Sequence, residues 1–125
     1  LAMSAGYEML SILSSQKSIY IRLEELARQL EEGILDNLRR LGLNYRLNRV
    51  GSMFTLFFTE CEVTDYDTAK TSNTKLFARY FQEMLKRGIY LPPSQFEAAF
   101  ISAAHTEYDI ERTVQIISRS LSNTK

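Results

Sequence analysis

The sequence is short of the residues that build disulfide and metal sites. It holds one cysteine, Cys61, and one histidine, His105. A lone cysteine excludes an internal disulfide framework and fits a reducing compartment. One His and one Cys are too few for a Cys/His metal site, so no metal is expected. The five glycines are scattered at helix ends and turns, not gathered into a phosphate-binding loop. No apolar run approaches the roughly 20 residues of a membrane span. No signal-peptide pattern opens the chain, and a cytoplasmic or organelle-stroma setting is the default expectation. Neither sign of charge is in excess: 15 basic and 15 acidic residues cancel. That leaves no field to draw the chain to nucleic acid or to an anionic membrane.

What remains is the composition of an ordinary globular domain, 45% hydrophobic and 24% charged over 125 residues. That length suits a single domain, 1–125, burying roughly two-thirds of its unfolded surface. The first segment reads as a helix over 3–14. Its apolar residues, among them Leu1, Met3, Met9, Leu10 and Leu13, cover most of the circumference, a pattern that calls for burial on most sides. The remaining elements offer too little surface to cover it, which suggests a missing partner domain. A redundant first helix or a dimer would explain the pattern as well.

After a loop at Ser14–Lys17, with Ser18 as cap, a long helix carries Ile19, Leu23, Leu26, Leu30, Ile34, Leu38 and Leu41 at spacings of three and four. Glu24 precedes Arg28 by four residues, and Asp36 precedes Arg40 likewise, which supports the exposed face. Gly42 ends the helix. Tyr45–Val50 and Met53–Thr59 read as strands joined by a tight turn at Gly51-Ser52. Residues 60–73 form a polar loop. The next helix sets Leu76, Phe77, Tyr80, Phe81, Met84 and Leu85 toward the core and stops at Gly88. Ile89–Leu91 and Ala98–Ala103 read as two further short strands. Thr106 opens the last helix, with Asp109 completing a weak capping box and Ile110, Val114, Ile117 and Leu121 as the buried stripe. The expected fold is a two-layer α/β (α+β-like) sandwich: a small, mostly antiparallel sheet with helices packed on one face.

Candidate chemistry is sparse. Ser94 lacks the Gly-x-Ser-x-Gly elbow of an exposed nucleophile. His105, just before a helix, fits a local hydrogen-bonding role, and Cys61 an incidental loop thiol. A Schiff-base lysine needs an apolar setting or a cationic neighbour. Lys17, Lys70, Lys75, Lys86 and Lys125 all lie in polar loops or at helix and chain ends. Glu97 stands out, because an acid at the mouth of an apolar strand costs free energy unless something binds it.

The runs Asn48-Arg49-Val50-Gly51-Ser52-Met53-Phe54-Thr55-Leu56-Phe57-Phe58, Phe77-Ala78-Arg79-Tyr80-Phe81, Gly88-Ile89-Tyr90-Leu91-Pro92-Pro93-Ser94-Gln95-Phe96-Glu97-Ala98 and Ala104-His105-Thr106 with Asp109-Ile110 resemble one family. It is the glutamate-1-semialdehyde 2,1-aminomutases, pyridoxal-phosphate enzymes of the class III aminotransferase kind. The resemblance covers essentially the whole chain and corresponds to the family's C-terminal domain. It implies the small domain of a fold type I enzyme that makes 5-aminolevulinate for tetrapyrroles, in the cytoplasm or a plastid stroma. It implies a homodimer, with a large domain that carries the pyridoxal phosphate and its lysine. No position here matches that lysine, so no cofactor-binding residue is expected in this chain, and the chain alone is expected to be inactive. Residues 1–14 would pack on the large domain. Glu97 would contact an amino group of the substrate or of its doubly aminated intermediate, with Ser94 and Gln95 as weaker substrate-binding candidates. Without the large domain Glu97 should be open to solvent. Two other readings remain: a stand-alone interaction module, and a sister class III aminotransferase with another substrate.

Overall fold

The computed structural model describes residues 1–124. Lys125 lies outside the described residues. The helices are α1 (Ala2–Ser15), α2 (Ser18–Leu41), α3 (Tyr66–Ala69), α4 (Thr74–Lys86) and α5 (Glu107–Ser122). The strands are β1 (Arg46–Val50), β2 (Met53–Phe57) and β3 (Ala99–Phe100), in spatial order β1-β2-β3 and antiparallel throughout. Helices α2, α4 and α5 share one hydrophobic core with the sheet face that carries Phe54, Leu56 and Phe58. This is the expected α/β arrangement, a small antiparallel sheet with helices.

The long helix buries the face its periodicity predicts: Leu26, Leu30, Ile34 and Leu38 are all at most 4% exposed. It lies against α5 at one close approach. A methyl group added at Gly33 would come within 2.5 Å of a Val114 methyl. One turn on, the buried Asn37 donates from Nδ2 to the Val114 carbonyl at 2.9 Å. Glycine is required here by the neighbouring helix rather than by its own backbone.

The helix ends follow local rules. Gly42 (φ 63°) and Gly88 (φ 83°) adopt the left-handed conformation open to glycine. Beyond each, Leu43 N–H reaches Leu38 C=O and Ile89 N–H reaches Met84 C=O, closing the last turns in the Schellman manner. Thr106 and Asp109 form a full reciprocal capping box at the start of α5. Ser18 does not cap α2: the cap position falls on Lys17, without a side-chain bond.

Several local expectations change for physical reasons. Ile89–Leu91 is not a strand. The two prolines that follow hold no N–H to donate to a ladder. Ala98–Ala103 shortens to Ala99–Phe100, because residues beyond leave the sheet for the turn before α5. The polar loop gains α3, capped reciprocally by Asp65 and Thr68. Leu85 is 44% exposed rather than part of the core. On α2, Arg28 pairs with Glu32 and Arg39 with Asp36. Glu24 instead joins Glu31 in holding Arg49 of β1, at 3.0 and 2.7 Å. Two carboxylates therefore pin the long helix to the edge strand.

The outer face of the sheet is covered only in part. Phe57 is half-buried, and Val63 and Tyr66 of the 60–73 segment meet Phe96 of the turn before β3 in the same hollow. Further along, the paired row Val50–Met53–Phe100 is 71%, 40% and 64% exposed. Helix α1 buries none of its residues.

The Gly33→Ala substitution is expected to destabilise the domain by a net ~1–2 kcal/mol. The overpacking against a stiff β-branched neighbour outweighs the ~1 kcal/mol gain in helix propensity. Urea unfolding followed by circular dichroism measures it. A second expectation concerns Glu83. Hydrogen bonds from Asn123, Arg87 and Lys86 hold its carboxyl down from the ordinary 4.5 to about 2. A depressed folded pKa contributes stability that is present above the unfolded value and lost as pH falls through the folded one. The stability gap between the natural chain and Glu83→Gln should be constant above pH 5 and shrink between about pH 4.5 and 2.

Candidate functional site

A groove of about 590 Å³ runs between the segment after α4 and the start of α5. Its walls include Tyr90, Pro92 and Pro93 on one side, His105 and Arg112 on the other, and Glu97 at the junction with β3. Under Glu97 lies a small apolar void of about 30 Å³, floored by Ile34, Leu56, Phe77 and Tyr80. Burial pushes the Tyr80 phenol well above its ordinary value, so it stays neutral.

Glu97 is exposed, as the sequence reading expected of a chain without the facing wall. Its backbone is fixed on both sides: the N–H donates to Ser94 C=O at 3.2 Å, and the C=O accepts from Thr55 Oγ1 at 3.3 Å. No hydrogen bond or ion pair from the described residues reaches its carboxylate. A fixed backbone carrying an unpaired charge is an arrangement ready for a cationic or amino ligand.

Ser94 and Gln95 sit differently. Ser94 Oγ accepts from the Phe96 N–H at 3.2 Å and shapes the turn. Gln95 is 3% exposed and points away from the groove, with its carboxamide engaged by β2: Nε2 donates to Leu56 C=O at 2.9 Å, and Oε1 accepts from Phe58 N–H at 3.4 Å. The structure thus brings Ser94, Gln95 and Glu97 into one turn but exposes only the last of the three. Thr55 escaped the sequence reading. The available signal was a lone hydroxyl on the outer face of an otherwise apolar strand.

His105 closes the turn before α5. Its Nδ1 accepts from the Ser102 N–H at 3.0 Å, so the neutral ring carries its proton on Nε2. Its carbonyl accepts from Arg22 at 3.4 Å. Hydrogen bonds from Thr106 hold the Asp109 carboxyl below its usual range.

The groove offers little to a cofactor. Lys17, Lys70, Lys75 and Lys86 do not line it; Lys70 is bound to Asp67 at 2.7 Å and Lys86 to Glu83 at 3.1 Å. Lys125 lies outside the described residues. Its wall presents one Arg, one His and a capped helix start, with no cradle of free backbone N–H groups for a phosphate. These residues do not by themselves fit pyridoxal phosphate. Among the described residues, no cluster of His, Cys, Asp or Glu is placed to hold a metal ion. None of their helices is long and apolar enough to cross a membrane.

No protein-family model matches the chain. Curated proteins do. Over 115 residues, 92% of this chain, it is 52% identical to the glutamate-1-semialdehyde 2,1-aminomutase of Thermodesulfovibrio yellowstonii and 56% identical to that of Pelodictyon phaeoclathratiforme. Over 121 residues it is 47% identical to the same enzyme of Thermus thermophilus. The chain spans 27%, 26% and 28% of those proteins, about a quarter of their length. Among solved structures, a glutamate-1-semialdehyde-aminomutase from Pseudomonas aeruginosa PAO1 and an omega-transaminase from Sphaerobacter thermophilus superpose with TM-scores of 0.77 over 86% of this chain and 24% of theirs. At 23% and 22% identity those two establish the fold alone. Other structures of this fold carry PLP or PMP.

Thr106→Ala should remove one half of the capping box and cost about 1 kcal/mol of stability. Faster amide exchange confined to the first turn of α5 would accompany it, and unfolding by urea gives the magnitude.

Proposed function

We propose that this chain, a homologue of part of the glutamate-1-semialdehyde 2,1-aminomutases, is the C-terminal portion of such an enzyme and supplies one wall of its substrate site. The carrying observation is Glu97: a carboxylate with a doubly anchored backbone and no partner of its own, at the head of a groove. Within the matched stretch it is the ionisable group best placed to hold an amino group.

In this reading glutamate 1-semialdehyde is converted to 5-aminolevulinate, a transfer of an amino group between neighbouring carbons. Pyridoxal phosphate, when bound to the rest of the polypeptide, supplies the amino-group carrier and the electron sink. This chain holds no lysine or phosphate cradle for it among the described residues. The part played by these residues is binding and orientation. Glu97 accepts charge-assisted hydrogen bonds from an amino group of the substrate. The apolar floor of Ile34, Leu56, Phe77 and Tyr80 holds water away beneath it, which strengthens that contact. Ser94 keeps the turn in shape.

The same reading gives α1 a role. Its apolar residues and the exposed Val50–Met53–Phe100 row would meet the large domain. The complete enzyme would be a homodimer working in the cytoplasm or a plastid stroma, and the 125-residue chain alone would be inactive.

Glu97→Gln in the complete enzyme should lower turnover by roughly 10- to 100-fold, the worth of one charge-assisted hydrogen bond. The cofactor absorbance should stay intact. Steady-state kinetics beside an absorbance spectrum checks both, and unchanged turnover would remove Glu97 from the site.

A further inference from the structure

The register between β2 and β3 sets Met53 opposite Phe100 and Phe54 opposite Ala99. Extended without a break, it would set Glu97 opposite Leu56 and Gln95 opposite Phe58. The ladder does not extend. Glu97 turns out of it: its N–H donates to Ser94 C=O and its C=O accepts from Thr55 Oγ1. That departure leaves Leu56 C=O and Phe58 N–H on the open edge of β2, at residues only 7% and 3% exposed. A bare peptide group in such a place is costly, since water cannot reach it freely.

The Gln95 side chain fills the gap. Its NH₂ meets the Leu56 carbonyl and its oxygen meets the Phe58 N–H. The two backbone groups also fix the amide orientation, because a carbonyl requires the nitrogen and an N–H requires the oxygen. The carboxamide thus meets both groups, which the continued antiparallel ladder would have paired with Glu97 N–H and Gln95 C=O.

We propose that Gln95 is the positioning residue for Glu97: its carboxamide supplies the edge bonds that the 95–98 backbone gives up, and so holds Glu97 out of the sheet and at the groove. Glutamine suits the task because one carboxamide carries both a donor and an acceptor. Glutamate lacks the donor, methionine lacks both, and asparagine is one methylene too short to span the same pair. With the edge bare, residues 95–98 gain by zipping onto β2 or by loosening, and either motion displaces the acid. The functional half of this inference rests on the reading of Glu97 as an amino-group ligand.

The test uses the complete enzyme loaded with its cofactor, with Gln95→Met, Glu97→Gln and the double variant. Hydrogen exchange read by mass spectrometry on peptides covering 54–60 reports the edge. The expected result for Gln95→Met is at least tenfold faster exchange there, with α2 and α5 peptides unchanged. Unaltered exchange at 54–60 overturns the edge-filling role whatever Glu97 does. Kinetics report the positioning. Gln95→Met should lower kcat about tenfold or more in the natural background and add little once Glu97 is Gln. An equal loss in both backgrounds overturns positioning, because Gln95 would then act by another route. If Glu97→Gln alone leaves turnover unchanged, the site reading fails and the positioning role falls with it, while the exchange result still decides the edge bonds separately.

Discussion

The close approach of α2 and α5 at Gly33 is the constraint on which the rest depends. With no side chain at Gly33, Val114 enters the groove of the long helix, and Asn37 then reaches the Val114 carbonyl. From that crossing, α2 sends Ile34 and Leu30 toward the sheet, and α5 sends Ile110 and Ile117. The floor under Glu97 and the wall carrying His105 are both consequences of where these helices meet.

The sheet contributes in a different manner. Three strands are few, and the third is two residues long. Its shortness is tied to the site: a longer β3 would zip Glu97 into the ladder and commit its backbone to β2. The chain gives up regular pairing at that edge and recovers the hydrogen bonds from a side chain and a threonine hydroxyl. Regular structure and a free carboxylate compete for the same four residues, and Gln95 lets both be satisfied.

Much of this was legible in the residues. The stripes of α2 and α5, the glycine stops at 42 and 88, the hairpin at Gly51-Ser52 and the cap at Thr106 rest on local rules, and local rules travel with the sequence. The failures lie where a distant partner decides. Glu24 has an arginine four residues on, yet it turns to Arg49 on another element because that guanidinium is already held by Glu31. Ile89–Leu91 has strand-like residues but runs into two prolines that cannot donate to a ladder. Glu97 could be picked out as an acid in an apolar setting, and it is exposed as expected. The buried bonds of Gln95 could not be read, since a glutamine beside a proline pair looks the same whether it faces solvent or a strand.

The crossing at Gly33 also has a cost in chain freedom. The Asn37–Val114 contact closes a loop of 77 residues. Bringing such ends together costs roughly 4 kcal/mol of configurational entropy on logarithmic scaling, before any constant. Both strands of the hairpin, the turn carrying Gln95, and Glu97 itself lie within that loop. The local bonds that hold Glu97, from Ser94 and Thr55, therefore sit inside a long loop that the two helices close.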